Sequence, residues 1–392
     1  MMKLTVIDSL AEVSAAEWNR LNPGNDPFLS HEFLYGLELH DCLKPQGWYT
    51  SHIILRDEEN RLFAAMPLYL RTNSYGEFVF DWAWADAYER AGGRYYPKFV
   101  SAIPFTPASG SRVLVVNSED IGVALPALVD AAVELVQQNG ASSVHCLFPG
   151  YEQARLFKDM DLLIRAGCQF HWFNRGYTSF EAFLQALNSK RRKQIRRERR
   201  EANAPGITIE VLYGDAIGAE HWAVFHEFYC STFLRKWGEP RFTESFFRYL
   251  SEAMPDAPLL ILAKYENDYV AGSFSMRSHD TLYGRHWGCS QHVKQLHFEL
   301  CYYQTIEFCI EQGLDRFDAG AQGEHKITRG FDPVKTWSAH WIADAGFRDA
   351  IADFLRRETR HIDQYVGELS QHRAYKKAPD FDDRIRITDA VG

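Results

Sequence analysis

The stretch GLDRFDAGAQGEHKITRGFDPVKTWSAHW, residues 313–341, is the part of the sequence from which the fold and the site are predicted. Residues 314–318 predict a short strand, and the small residues at 319–323, around Gln322, allow a backbone or a ligand to come close. A polar cluster follows at once, formed by Glu324, His325, Lys326, Thr328 and Arg329. A strand end, a small-residue loop and clustered acid, base and cations together favour a functional site over a solvated loop.

Length and composition bound the kind of protein. A chain of 392 residues predicts two domains at ~100–200 residues each. A net charge of −9 argues against a whole-surface attraction to DNA or to an anionic membrane, so any anion binding must be local. The seven cysteines are scattered without a CxxC motif, and the first residues lack a signal-peptide pattern. These features favour a reduced, cytoplasmic compartment, and no apolar run reaches the ~20 residues of a membrane span.

The order of predicted elements repeats along the chain. Each half shows an apolar hairpin, a strand, an amphipathic helix, a glycine stop and a further strand. In the first half these are 52–71, 78–84, 121–138, Gly140 and 143–148; in the second they are 259–278, 281–288, 297–312, Gly313 and 315–320. The repeat predicts two related α/β halves, each a mixed sheet with covering helices. We place the domains at residues 1–170 and 171–392, with the main site in the second.

Other elements fill the remaining chain. We expect a strand at 4–7, a helix at 10–21, a helix with Ser30 as its N-cap, irregular structure over 86–112 and a charged helix at 347–369. Residues after Lys377 predict a loose end. A helix at 180–187 is expected to continue into a strongly basic segment.

That basic segment, SKRRKQIRRERRE, is a candidate surface for phosphate groups. Eight of the eleven residues 190–200 are Lys or Arg, and segment 181–203 carries net +5, which leaves −14 for the rest of the chain. On a helix, Arg192, Arg196, Arg199 and Arg200 are expected to share a face, with Ile195 turned aside. The segment either grips phosphates of RNA or of a nucleotide, or forms a solvated helix paired with acidic residues.

The strand at 281–288 and the following helix supply further candidates. Tyr283, Arg285 and Trp287 alternate and therefore face one side, which suits a nucleotide or a sugar phosphate as well as an aromatic core. His297 and Glu299 fall in the first turn of the helix, as substrate contacts or as a surface His and a capping Glu. No glycine lies between Gly288 and Gly313, so the glycine-rich loop that holds CoA in acetyltransferase-type folds is missing.

A loop in the first half, IPFTPASGSR, offers Arg112 as a second phosphate contact, with a plain surface loop as the alternative. Motifs for other chemistries are missing from the sequence. No G-x-S-x-G, H-E-x-x-H or P-loop pattern occurs, which argues against a serine nucleophile, a metal site and ATP use. We expect no metal and no tightly bound cofactor.

Several segments, in order, resemble the FemAB-like predicted N-acyltransferases, a peptidoglycan biosynthesis and recognition family of the GNAT superfamily. They are PKFVSAIPFTP (97–107), SKRRKQIRRERR (189–200), FHEFYCSTFLRKWG (225–238), YGRHWGC (283–289), HFELCYYQ (297–304), FDAGAQGEHKITRGFDPV (317–334) and SAHWIA (338–343). The resemblance implies two tandem GNAT-like domains, each a mixed β-sheet flanked by helices. It also implies transfer of an aminoacyl group from aminoacyl-tRNA to an amine on a peptidoglycan precursor.

By this resemblance, Lys326 stands where the family has its motif lysine, and Arg329, Gly330 and Phe331 complete the motif. The sequence departs from the family pattern in two places, with His325 where Phe is usual and Asp332 in place of the last Gly. Residues 180–203 are also too few for the long helical arm of the cell-wall ligases. The donor, charged tRNA or an acyl thioester, therefore stays open.

The chemistry expected is aminolysis of an activated ester or thioester by an amine. We predict Lys326, His325, Glu324 and Arg329 as catalytic residues, with the identity of any general base left open. The predicted substrate contacts are Gly323, Gln322, Tyr283, Arg285, Trp287, His297, Glu299, Arg112, Arg196 and Arg199. The alternative is a non-catalytic binding protein on a decayed transferase fold that recognises a cell-wall precursor or a nucleotide.

Overall fold

The computed structural model describes residues 2–235, 238–320 and 323–376. Its contacts divide the chain into two compact units. The first holds the residues up to Cys168 together with Lys335–Tyr365, and the second holds Gln169–Val334 together with the described residues from Val366 onward. The sequence predicts a single division at residue 170, whereas the chain returns to the first unit after Val334.

The first unit contains the elements of the N-terminal half and two that come late in the chain. Its strands are β1 (Lys3–Ile7), β2 (Trp48–Thr50), β3 (His52–Arg56), β4 (Leu62–Met66), β5 (Tyr69–Arg71), β6 (Lys98–Ser101), β7 (Leu114–Val115) and β8 (Ser143–Leu147). Its helices are α1 (Ala15–Asn19), α2 (His31–Leu39), α3 (Trp82–Arg90), α4 (Ile121–Asn139) and α5 (Tyr151–Asp159). A unit boundary falls within β9 (Leu163–Phe173), β15 (Asp332–Ile342) and α12 (Ala345–Gln371).

Two sheets form in the first unit. One runs β1-β3-β4-β7 with antiparallel neighbours, and the other runs β2-β5-β6-β8-β15. The second is mixed, since β6 and β8 are parallel while β8 and β15 are antiparallel. Helix α4 buries Leu125, Leu128 and Val136 in a hydrophobic core of the first unit, and Gly140 ends the helix in the left-handed region with φ +58°.

The second unit carries the C-terminal half of the repeat. Its helices are α6 (Phe180–Ala186), α7 (Ser189–Ala202), α8 (Ala219–Leu234), α9 (Glu244–Ala253), α10 (Leu296–Phe298) and α11 (Gln304–Glu311). Its strands are β10 (Ile207–Tyr213), β11 (Pro258–Tyr265), β12 (Asp268–Arg277), β13 (Thr281–Cys289) and β14 (Arg316–Asp318). A π-helical segment, Glu299–Tyr303, joins α10 to α11.

The sheet of the second unit runs β10-β11-β12-β13-β14-β9, and it is mixed because only β13 and β14 are parallel among these described pairs. The β11–β12 hairpin turns where the sequence predicts it, and β11 is apolar because both of its faces are buried. The parallel step places the C-terminal ends of β13 and β14 at one edge of the sheet. The loop after β14, which starts the candidate site, leaves from that edge.

Most predicted elements are confirmed, and three differ for local reasons. Residues 78–84, predicted as a strand, form a loop and the first turn of α3, because Glu77 and Asp81 turn inward to a buried lysine while aromatic neighbours turn outward. The predicted helix at 10–21 is interrupted, since Ser14 caps a new helix at the amide of Glu17. The region 86–112, predicted as irregular, contains β6. The expected loose end after Lys377 lies outside the described residues.

Candidate functional site

The site begins where β14 ends. Asp318 accepts a hydrogen bond from the backbone N–H of Gly320 at 2.9 Å, which bends the chain into the small-residue loop. Gly323 then adopts φ +111°, and a Cβ there would lie only 2.4 Å from the ring of His325, so a side chain has no room. The polar cluster follows as a 3₁₀ helix, Glu324–Arg329. Gln322, predicted as a substrate contact, lies outside the described residues.

Lys326 is the buried cation of this segment. Its side chain is almost fully buried, with the residue 2% exposed, and Nζ donates to the carbonyl oxygens of Ala319 at 2.6 Å and Gly320 at 2.9 Å. No described carboxylate forms an ion pair with it. Burial lowers the pKa of Lys326 to about 8, and nearby Asp318 opposes that shift. An ammonium has three donors, so two carbonyl bonds leave one N–H for a ligand.

Arg329 is buried and is held by several side-chain contacts. Glu198 of α7 accepts from it twice, from Nε at 3.1 Å and from Nη2 at 2.8 Å. The hydroxyl of Tyr303 accepts from Nε at 3.0 Å and itself donates to Glu198. The guanidinium carbon lies 3.6 Å from the ring centre of Phe298. Arg329 is therefore a fixed cation at the site rather than a surface charge.

His325 and Glu324 are the exposed members of the cluster. His325 Nε2 lies 3.0 Å from the hydroxyl of Tyr302. Partial burial, with Arg329 and Lys326 nearby, lowers the pKa of His325, so the imidazole is neutral at pH 7. A neutral exposed imidazole next to a buried ammonium has the chemistry of a proton acceptor.

His297 and Glu299, both predicted as substrate contacts, have different environments. The ring of His297 packs edge-on against Trp287 at 5.2 Å, and burial lowers its pKa to about 4. Glu299 is fully buried and accepts from Arg199 Nη2 at 3.0 Å. His297 thus faces the site as a neutral group, whereas Glu299 is a structural ion-pair partner at the start of the π-helical segment, a form that often accompanies function.

A cavity of about 490 Å³ opens beside this cluster. Its lining residues are Arg235, Trp287, Cys289, Gln291, His292, Val293, Lys294, Gln295, Leu296, His297 and Phe298. Aromatic rings and two permanent cations suit a ligand that has both a planar or apolar part and a negative charge, and the volume is that of a small-molecule site. Phe298 connects the cavity to the cluster, because its ring lies 5.5 Å from that of His325.

The three residues that alternate along β13 have different environments. Trp287 lines the cavity, while Tyr283 is buried and is not among the described lining residues. Arg285 is partly buried, and burial lowers its pKa to about 10. Of these three residues, only Trp287 is among the described residues that line the cavity.

The exposed face of α7 differs from the predicted one. Its cations are Lys190, Lys193, Arg196, Arg197 and Arg200, which with Gln194 line a surface groove of about 610 Å³. Arg199 turns inward instead, because Glu299 and Glu307 accept from its Nη2 at 3.0 and 2.7 Å. Ile195 is fully buried, and Asn188 caps α7, so α6 and α7 are separate helices. We call the five exposed cations the cationic face.

Arg112 belongs to the first unit and is fully buried there. It donates to the carbonyl oxygens of Leu147 at 2.6 Å and Ala108 at 2.7 Å. These bonds tie a loop to β8, and this favours the structural interpretation of that loop over a phosphate contact. Asp332, the departure from the family motif, is likewise structural, since it forms ion pairs with Arg175 at 2.5 Å and Arg373 at 3.0 Å.

Four residues of the site were not predicted from the sequence: Glu198, Tyr303, Tyr302 and Phe298. A signal existed for Glu198, the lone acid within eleven residues that are otherwise mostly cationic. The aromatic residues carried none, because helical spacing predicts a core role for them. Within the described ranges, no group of three or more His, Cys, Asp or Glu side chains is arranged to hold a metal ion. None of the described helices is both long and apolar enough to cross a bilayer.

Comparison with known proteins gives one family and a set of related folds. The family model named FemAB-like, described as peptidoglycan biosynthesis/recognition, matches residues 9–377. The crystal structure of FemX is 13% identical, with 89% of this chain and 100% of that chain covered at a TM-score of 0.53. The C-terminal DUF2156 domain of a putative lysylphosphatidylglycerol synthetase from Agrobacterium fabrum is 11% identical, with 89% and 96% covered at a TM-score of 0.54.

A tandem GNAT protein from the clavulanic acid biosynthesis pathway is 11% identical, with 88% of this chain and 99% of that chain covered at a TM-score of 0.46. No curated protein matches the chain. The overlap with FemX, which extends over nearly all of both chains, together with the two mixed-sheet units, confirms the predicted class of two tandem GNAT-like domains.

Proposed function

The chain belongs to the FemAB-like family of peptidoglycan biosynthesis and recognition proteins, and on that premise we propose that it is an acyl- or aminoacyltransferase. The reaction proposed is amide formation on an amine of a cell-wall, peptidoglycan-type precursor. The acyl donor is an activated ester or thioester. The amine nitrogen bonds to the carbonyl carbon, the C–O or C–S bond breaks, and the amine proton leaves with a base or with the departing group.

The observation that carries the proposal is the environment of Lys326. Aminolysis passes through a tetrahedral intermediate whose oxygen becomes negative, and a fixed cation in a dry site stabilises that oxygen strongly. Lys326 is buried, and two hydrogen bonds to backbone carbonyls orient its ammonium. It has no ion-pair partner among the described residues. It therefore meets the developing negative charge without first breaking a salt bridge.

Neighbouring groups complete the chemistry. Arg329 holds the same loop, because its Nη1 donates to the backbone carbonyl of His325. His325, neutral and exposed, is the group best placed to accept the amine proton, with its ring oriented by Tyr302. Glu324 is exposed in the first turn of the 3₁₀ helix, where it can attract a cationic acceptor amine.

The donor is inferred from charge and shape. The cavity beside His297 offers Arg235 and Lys294 as cations and Trp287 and Phe298 as aromatic surfaces, which suits the end of a nucleotide or of a phosphate-bearing thioester. The cationic face of α7 adds a surface for a longer polyphosphate chain. These two features favour charged tRNA, and a carrier thioester is the other donor of the same chemistry.

A donor screen tests this proposal. Purified protein is incubated with charged tRNA, acyl-carrier thioesters and acyl-CoAs, with an amine acceptor present, and products are identified by mass spectrometry. We expect amide product with one donor class and its loss in Lys326→Ala. Full activity in Lys326→Ala would overturn the site assignment.

A second candidate function is a binding protein without turnover. It is favoured by the absence of glycine between Gly288 and Gly313, which removes the usual CoA loop. Acceptor binding without turnover of any donor would select this alternative.

A further inference from the structure

Helix α7 has a second side that faces the candidate site. Glu198 is 3% exposed although its sequence neighbours are cations, and it receives Arg329 through two bonds of 3.1 and 2.8 Å. Gln194, one turn earlier, donates to the same carboxylate at 3.0 Å. The hydroxyl of Tyr303 donates to it as well. One carboxylate thus collects donors from α7, from the π-helical segment and from the polar cluster.

The guanidinium of Arg329 connects Glu198 to the backbone of the polar cluster. Its Nη1 donates to the backbone carbonyl of His325 at 2.8 Å, and Phe298 covers its face at 3.6 Å. The carbonyl of His325 belongs to the peptide that leads into Lys326. A shift of Arg329 therefore moves the backbone that carries both His325 and Lys326.

A buried ion pair is a weak source of stability, because desolvation cancels much of the attraction. An apolar pair of the same volume would hold α7 at least as firmly. What the charged pair adds is direction, since a bidentate carboxylate fixes the plane of a guanidinium. The geometry points to a role in placing groups rather than in packing.

We propose that Glu198 is a positioning residue of the transfer site: it orients Arg329 and, through the carbonyl of His325, the backbone of Lys326. The inference rests on the proposed function, because it needs a reaction whose rate depends on that orientation. It also gives α7 two roles, a cationic face for the donor on the outside and a support for the site on the inside.

The chain provides a matched control. Glu307 also pairs with α7, through Arg199 at 2.7 Å, but the described contacts of Glu307 do not include Arg329 or the polar cluster. Glu307→Gln loosens the anchoring of α7 without disturbing the orientation of Arg329. Glu198→Gln keeps the size and one acceptor of Glu198 but removes its charge.

Steady-state transfer is measured for wild type, Glu198→Gln, Glu198→Asp and Glu307→Gln, with thermal unfolding recorded for each. We expect Glu198→Gln to lower kcat by about 10- to 100-fold, because misplacement of reacting groups costs rate steeply, while KM for the donor stays within about twofold. We expect Glu198→Asp to recover part of the rate and Glu307→Gln to keep it. Wild-type kcat in Glu198→Gln, or an equal loss in Glu307→Gln, would overturn the proposal.

A second readout does not depend on turnover. The Nε–H signal of Arg329, assigned by its loss in Arg329→Lys, is expected to exchange slowly with solvent in wild type and to become fast in Glu198→Gln. An unchanged signal would contradict the positioning role. Wild-type protein that transfers nothing from any donor would overturn the proposed function instead, and the arginine signal would still decide whether Glu198 orients Arg329.

Discussion

Each unit of this protein buries a lysine, and the two lysines have opposite surroundings. In the first unit, Lys98 Nζ donates to Glu77 at 2.7 Å, Asp81 at 2.5 Å and Ser74 at 2.8 Å. In the second, Lys326 Nζ donates only to two backbone carbonyls among the described residues. Burial works against the charge in both, but Glu77 and Asp81 raise the pKa of Lys98, whereas burial lowers that of Lys326 to about 8.

This difference separates a structural charge from an available one. The ammonium of Lys98 is neutralised by two carboxylates, and Glu77 also pairs with Arg71, so the set closes on itself. Lys326 donates to two backbone carbonyls, whose dipoles stabilise its charge without cancelling it. A substrate oxyanion near Lys326 would meet an uncancelled charge, while one near Lys98 would have to displace a carboxylate.

The largest difference between the two lysines is expected in the free energy of unfolding that is lost when each is replaced by methionine. Lys98→Met leaves Asp81 buried without its cation and Glu77 with Arg71 alone, and breaking a buried pair in this way costs about 3–5 kcal/mol. Lys326→Met leaves only two carbonyls unsatisfied and removes a poorly solvated charge, so the cost is about 1–3 kcal/mol at most. Denaturant unfolding of both variants measures the two free energies. Equal losses of unfolding free energy would show that the two lysines do not differ in how their charges are compensated.

The rate of transfer, in contrast to stability, is expected to depend strongly on Lys326. Lys326→Ala removes one fixed cation from the developing oxyanion and should lower kcat by about 100- to 1,000-fold. Lys264→Ala is the control, since Lys264 lies in the same unit and pairs with Glu210 on the sheet. Activity is followed with whichever donor the screen identifies. A loss of less than about threefold in Lys326→Ala would remove this residue from the site.

The pH dependence of transfer is also expected to report the charge of Lys326. The pKa of Lys326 is lowered to about 8, so its charge is present below that pH and is lost above it. Transfer should therefore rise with pH as the acceptor amine becomes neutral and then fall above about pH 8. In Lys326→Arg the falling limb should move beyond pH ~10, because arginine stays protonated. A falling limb that is identical in the two proteins would assign it to another group.

The smallest effect is expected at the cationic face. If charged tRNA is the donor, Arg196→Gln with Arg200→Gln should weaken its binding and lower the slope of log affinity against log salt by about 2. Arg248→Gln, which removes a half-exposed cation on α9, is the control for general charge. Unchanged salt dependence in the double variant would show that this face is solvated only.

Sequence patterns were sufficient for much of the fold. The apolar hairpins, the glycine stops and the amphipathic helix α4 follow from local periodicity and turn chemistry, which act over short stretches. The segment 78–84 escaped prediction because Lys98, a distant lysine on β6, draws Glu77 and Asp81 inward. No local pattern contains that partner.

The candidate site divides in the same way. Lys326, His325 and Arg329 stand together in sequence, so their clustering was visible. Glu198 is 131 residues from Arg329, and only the folded chain brings α7 to the loop. The predicted face of α7 also included Arg199, which tertiary pairing with Glu299 turns inward.

An NMR titration of the Lys326 ammonium in ¹⁵N-lysine-labelled protein would show whether this buried lysine carries a charge that no carboxylate cancels. The signal is assigned by its absence in Lys326→Arg, and its shift is followed from pH 6 to 11. We expect a midpoint near pH 8 for Lys326, while Lys98 keeps its proton above the ordinary lysine pKa of 10.5. A midpoint for Lys326 at or above 10.5 would contradict it, since the lysine would then have a counter-charge and would not be available to a substrate.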